Sequence, residues 1–203
     1  MNNIDRFYTN DPVTFSKSYF EYLGNVLKNI NLLEIDAFIK ALLRARDQGS
    51  AIFFIGNGGS AATASHFAND IAIGTNSYIK PFRAMSLTDN MAIISAIGND
   101  FGYEEIFSRQ LSVLAKAGDI LVGISASGNS PNLVKAFECA KLNQVETVAI
   151  TAFDGGKLKK MADLNIHVAT EKGEYGPAED AHMILDHLIG AYLMRYIFTQ
   201  QSK

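Results

Sequence analysis

Apolar residues recur along this chain with two spacings, helical and strand-like, and the alternation between them sets the expected architecture. Phe15, Tyr19, Tyr22, Leu23, Val26, Leu27 and Ile30 return at three- and four-residue intervals. They follow Asp11-Pro12, a capping carboxylate and the residue best tolerated at a first helical position. A second helix follows, with Ile35, Phe38, Ile39, Leu42 and Leu43 on one face and Gln48-Gly49 as its stop. Then the period changes. Ile52-Phe53-Phe54-Ile55 is an unbroken apolar run, as in a parallel strand covered on both faces. Gly56-Asn57-Gly58-Gly59-Ser60 turns the chain into a helix over about 61–73, which Gly74-Thr75-Asn76-Ser77 breaks.

The same alternation continues to the end. The pattern predicts a short strand at 83–87, a short helix at 92–97 closed by Gly98-Asn99-Asp100-Phe101-Gly102, and a helix marked by Ile106, Leu111 and Leu114. A second buried strand at 120–124 leads through Ser125-Ala126-Ser127-Gly128-Asn129-Ser130-Pro131 into a helix carrying Leu133, Val134, Phe137 and Ala140. Strands at 147–151 and 164–168 flank Asp154-Gly155-Gly156 and a short helix, and a final helix is expected from about 178 to 198. Strands alternating with helices predict an α/β fold with a doubly wound parallel sheet, whose ligands lie at the C-terminal ends of the strands. No linker or repeat interrupts the pattern. The expectation is therefore one domain over 1–203, with N-terminal helices in 1–49 and an α/β core in 50–203. The two N-terminal helices are apolar enough either to pack on their own sheet or to meet another subunit.

Composition changes this picture little. The chain has 203 residues, 48% hydrophobic and 19% charged, as in an ordinary globular protein. Its net charge of −3 argues against a nucleic-acid-binding role through bulk charge. The single cysteine, Cys139, excludes an intramolecular disulfide framework. No apolar run approaches the roughly 20 residues of a membrane span, and no basic segment followed by an apolar one opens the chain. A cytoplasmic protein with no membrane or nucleic-acid partner is expected.

Candidate chemistry sits where the strands end. The glycines of Gly56 to Gly59 let the backbone approach a ligand, and Ser60 stands where a helix N-cap would, beside free N–H groups and the positive end of the helix dipole. Ser125, Ser127 and Ser130 precede another helix start at Pro131. Either loop alone could be a plain turn. Two such loops in one sheet make a sugar-phosphate pocket the better reading. His66 and Asp70, four apart, share a helix face, and the last helix carries Glu179, His182, Asp186 and His187. A histidine–carboxylate set from two helices could hold a divalent metal, with zinc favoured by two imidazoles. Taken alone, His66 reads as a core or capping histidine, and His182 as a core or surface polar contact.

The motifs Gly56-Asn57-Gly58-Gly59-Ser60, Ile97-Gly98-Asn99-Asp100-Phe101-Gly102 and Gly123-Ile124-Ser125-Ala126-Ser127-Gly128-Asn129-Ser130, with Asp154-Gly155-Gly156-Lys157, resemble the SIS (sugar isomerase) domain family. The closest branch is the phosphoheptose isomerases, which convert sedoheptulose 7-phosphate to D-glycero-D-manno-heptose 7-phosphate. That resemblance implies a flavodoxin-like sheet and a homotetramer with active sites between subunits, the N-terminal helices serving assembly. It implies substrate binding by Asn57, Gly58, Ser60, Ser125, Ala126, Ser127, Ser130 and Glu179. It implies catalysis by His187 with Asp70 or Glu179, and a zinc site from His66, Asp70, Glu179 and His187. The product would feed heptose synthesis for lipopolysaccharide, capsule or another surface glycan.

The chain departs from the family pattern at several positions. Asp70 stands for a glutamate and Glu179 for a glutamine, as if the carboxylate had changed helices. Gly74 stands where an arginine is usual, Asn90 replaces an aspartate, and Gly176-Pro177 replaces a segment that often carries an aspartate. These departures leave two alternatives open: an SIS enzyme for a different sugar phosphate, and a non-catalytic SIS protein such as a replication-initiator-binding factor. Retained His66 and His187 argue against the second.

Overall fold

The computed structural model describes residues 4–201. Helix α1 (Pro12–Lys28) begins where expected, with the Asp11 carboxylate accepting from the backbone N–H groups of Val13 and Thr14 and Pro12 in the first turn. Helix α2 (Leu32–Gln48) ends at Gly49, whose φ of 69° is the left-handed conformation of a helix C-cap. Ile35, Phe38, Ile39 and Leu42 of α2 are buried against the chain's own sheet. In α1 only Val26 is buried, and Val13 and Phe20 are exposed. Of the two destinations the sequence leaves open, α2 takes the first within its own chain.

Among the described residues, five strands form one parallel sheet in the order β2-β1-β3-β4-β5. They are β1 (Ala51–Gly56), β2 (Arg83–Ser86), β3 (Ile120–Ser125), β4 (Glu146–Ala152) and β5 (Leu164–Val168). This is the flavodoxin-like order, whose switch point lies between β1 and β3. Alternate residues of β1 enter different layers. Ile52 and Phe54 pack with α2, Phe67 and Ile71, together with Leu185, Ile189 and Leu193 of the last helix. Phe53 and Ile55 pack with Leu111, Leu133 and Phe137 on the opposite face. A strand buried on both sides explains the unbroken apolar run.

Helix α3 (Gly59–Asn69), continued by a π-helical turn over Asp70–Gly74, and α8 (Tyr175–Gln201) share the sheet face that α2 covers. The others are α4 (Met91–Phe101), α5 (Ser108–Leu114), α6 (Pro131–Leu142) and α7 (Gly156–Met161). Three boundaries differ from the expectation. Gly58, with φ of 53°, caps α3, so Ser60 lies inside the first turn. Helix α4 runs through Gly98 to Phe101 and ends at Gly102, with φ of 101°. Asn90 starts it by accepting from the Ile93 N–H at 3.1 Å. Helix α8 starts at Tyr175 because Gly176 and Pro177 fall in its first turn, where a missing N–H costs nothing.

Candidate functional site

The C-terminal ends of β1 and β3 are neighbours in the sheet, with Gly56 paired to Ile124. The turn after β1 is tight: a Cβ on Gly56 would stand 2.3 Å from the Ser60 carbonyl oxygen, so only glycine fits. Buried Ser60 is thereby brought to the mouth of a cavity of about 140 Å³, lined also by Asn57, Ser125, Ala126, Ser127, Ser130, Tyr175 and Glu179. The expected substrate-binding side chains thus gather in one place, at the N-termini of α3 and α6.

Local hydrogen bonds hold this cradle. The Ser125 hydroxyl accepts from the Gly128 N–H at 3.1 Å, and the Ser127 hydroxyl accepts from the Asn129 N–H at 3.3 Å. Ser130 occupies the N-cap position of α6 without using its hydroxyl as a cap, which leaves that hydroxyl for other partners. The loop after β4 supports the β3 loop from below, as the Lys157 N–H donates to Asn129 Oδ1 at 3.1 Å and the Leu158 N–H to the Gly128 carbonyl at 3.0 Å. Asn57 is oriented by a reciprocal amide pair with Asn132, at 2.9 and 2.8 Å, and by the Tyr103 hydroxyl at 3.0 Å. Asn132, Tyr103 and Tyr175 escape a sequence reading, because no spacing ties them to Asn57 or to the serines.

A second group of chemical side chains gathers on the facing sides of α3 and α8. His66 Nε2 lies 3.3 Å from His187 Nε2, 3.6 Å from Asp70 Oδ2 and 3.9 Å from Asp186 Oδ2. One donor atom from each of these four residues lies within 4.8 Å of all the others. The resemblance assigns no role to Asp186, yet here it is wholly buried, and neither of its carboxylate oxygens has a hydrogen-bond partner among the described residues. Burial, with the Asp70 charge second, pushes its pKa up to about 7. Two imidazoles and two carboxylates at these separations fit a divalent cation.

Glu179, the expected fourth ligand, is absent from this group of four. Its half-buried carboxyl lies against the backbone of Gly59 and lines the serine cavity. Burial, then the neighbouring Asp180 charge, raises its pKa. His182 is the core histidine of the plain reading: it is fully buried, and burial pulls its pKa down to about 4.

A SIS domain model matches residues 18–152, about two thirds of the chain. The chain belongs to the SIS domain family. It is 36% identical to the phosphoheptose isomerase of Sulfurimonas denitrificans over 187 residues, covering 90% of this chain and 93% of that protein. A solved structure of phosphoheptose isomerase from Neisseria gonorrhoeae superposes with a TM-score of 0.78 at 30% identity, over 88% of this chain and 96% of that one. A phosphoheptose isomerase from Francisella tularensis superposes with a TM-score of 0.80 at 26% identity, over 91% and 99%. No helix among the described residues of this SIS-domain chain is long and apolar enough to cross a membrane.

Proposed function

We propose that this chain is an aldose–ketose isomerase that interconverts sedoheptulose 7-phosphate and D-glycero-D-manno-heptose 7-phosphate. The observation that carries the reading is the convergence of two strand-end loops, with Ser60, Ser125, Ser127 and Ser130, on one cavity at two helix N-termini. Hydroxyls and backbone N–H groups there can bind a phosphate dianion without a fixed cation. The phosphoheptose isomerases it resembles, matching 88–90% of this chain, support the heptose substrate.

The phosphate would rest among the four serines, with the Ala126 and Gly58 backbone beside it and the Asn57 amide on the sugar chain. Of the two candidate carboxylates, Glu179 shares the cavity with the serines, and burial raises its pKa. Glu179 would take the proton from one of C1 and C2 and return it to the other through an enediol. His187, roughly 12 Å of helix from Glu179 in the same chain, would reach O1 and O2 from a neighbouring subunit and, when its Nε2 is free of metal, move the hydroxyl proton between them. His66, Asp70 and His187 would hold a zinc ion, which when bound supplies a Lewis acid for the charge that develops on the substrate oxygen. The serine cavity and the hollow beside Asp70 and His187 share no lining residue. That separation supports a homotetramer with active sites between subunits, and exposed Val13 and Phe20 leave α1 a surface for it. A single-domain SIS enzyme of this kind would serve the heptose of a surface glycan.

The test is incubation of purified protein with sedoheptulose 7-phosphate, with zinc or with chelator, followed by NMR of the product. Interconversion that is lost in His187→Ala, with phosphate binding retained, is the expected result. Full activity of that variant overturns the assignment.

A further inference from the structure

A buried carboxylate with no partner is costly to a fold, and buried charges are ordinarily paired or bound to a metal. Asp186 is such a group: its side chain is 0% exposed, and both oxygens lack hydrogen-bond partners among the described residues. The contact to His66 does not satisfy it, since 3.9 Å is beyond hydrogen-bond range. What surrounds it is a set of metal-binding atom types. Four ligands about 2.0–2.2 Å from a tetrahedral zinc stand roughly 3.3–3.6 Å apart. From His66 Nε2 the other three donors lie at 3.3, 3.6 and 3.9 Å, close to that spacing before any ion draws them in.

We infer that Asp186 is a metal ligand of this chain, completing with His66, Asp70 and His187 the set in which the resemblance places Glu179. Within its own chain Glu179 is held elsewhere. Its carboxyl packs on Gly59 at the serine cavity, and eight residues of helix, roughly 12 Å of axial rise, separate it from His187. Asp186 is adjacent to His187 in sequence and comes into the cluster from the buried side of α8. Two carboxylates then balance the charge of a divalent cation, and Glu179 stays free of it. The inference rests on reading the cluster as a metal site and not on which sugar is bound.

The test is calorimetric titration of the chelator-stripped full chain with Zn²⁺, run on wild type, Asp186→Asn and Glu179→Gln. Wild type should take up one zinc per chain. Asp186→Asn, nearly isosteric, should weaken zinc binding by more than about tenfold, since even groups behind the ligands of a metal site typically contribute 10–100-fold. Glu179→Gln should bind zinc as wild type does. In the cobalt-substituted protein, Asp186→Asn should change the visible ligand-field bands and Glu179→Gln should not, a readout independent of turnover. Wild-type zinc affinity in Asp186→Asn, or loss of affinity in Glu179→Gln, overturns the assignment. No zinc uptake by wild type overturns it too, and leaves the isomerase reading to be judged by turnover in chelator.

Discussion

The carboxyl group of Glu179 rests directly on the Cα of Gly59: a methyl group there would stand 2.4 Å from Glu179 Oε2. The contact joins the turn after β1 to the last helix, two elements far apart in the chain. It makes Gly59 a positional requirement for Glu179 even though its own backbone is ordinary helix. Gly59→Ala is expected to push aside only the flexible end of a side chain, so stability should change little. Turnover should nevertheless fall at least about tenfold, near 1.4 kcal/mol of activation free energy. Combined with Glu179→Ala it should add almost nothing, because both changes remove the same group. Steady-state kinetics on the two single variants and the double variant check this.

The serines divide by what else they do. Ser130→Ala removes a hydroxyl that makes no capping bond, so it should raise KM and leave the unfolding midpoint unchanged. A hydrogen bond to a charged group is worth about 1.5–3 kcal/mol, or roughly 10–100-fold in KM. Ser125→Ala also removes one of two acceptors for the Gly128 N–H, the Ser125 carbonyl at 3.2 Å remaining, so it should raise KM and lower stability slightly. Kinetics paired with urea unfolding separates the two cases.

Gly128 and Gly156 lock the loops after β3 and β4 together. Both have positive φ, 59° and 55°, and a Cβ on Gly128 would lie 2.0 Å from the Gly155 carbonyl oxygen. The obstacle is backbone, which cannot swing away. Gly128→Ala should cost about 1–3 kcal/mol, the usual range for overpacking, or more, and should weaken binding of inorganic phosphate. Urea unfolding and phosphate titration of the variant measure both.

Two buried groups on α8 pull the pH dependence of stability in opposite directions. The His182 pKa falls from its ordinary 6.5 to about 4 on folding, so the unfolded chain binds the extra proton. Its contribution is present above pH 6.5 and lost as pH falls towards 4. The Asp186 pKa rises from 3.8 to about 7, so the folded chain holds the extra proton. Its contribution is present below pH 3.8 and lost as pH rises towards 7. In chelator, Asp186→Asn should therefore gain stability over wild type as pH is raised from 4 to 8. His182→Leu should lose the acid weakening between pH 6.5 and 4. Urea midpoints across this pH range, for wild type and both variants, give the two slopes.

How much was legible in advance follows from the range of the forces involved. Capping of α1 by Asp11 and termination of α2 at Gly49 are contacts within a few residues, and both stand as the pattern predicts. Unbroken apolar runs also placed β1 and β3, because a strand buried on two faces is apolar almost throughout, whereas β4 and the edge strand β5 were read from shorter apolar stretches that include Thr147, Thr151, Asn165 and His167. The extension of α4 through Gly98 was hidden because an isolated glycine usually reads as a stop, whereas here the helix continues to Gly102.

By itself the sequence determined the sheet, the two strand-end loops and the serines that gather there, since each depends on neighbours in the chain. Only the tertiary structure decided which carboxylate serves which site. Asp186 and Glu179 lie on one helix, but His66 meets His187 across 121 residues of chain, and that approach of α3 to α8 leaves Asp186 in the cluster and Glu179 on Gly59. No local pattern encodes such an approach, because it is set by the packing of two helices on a shared sheet face.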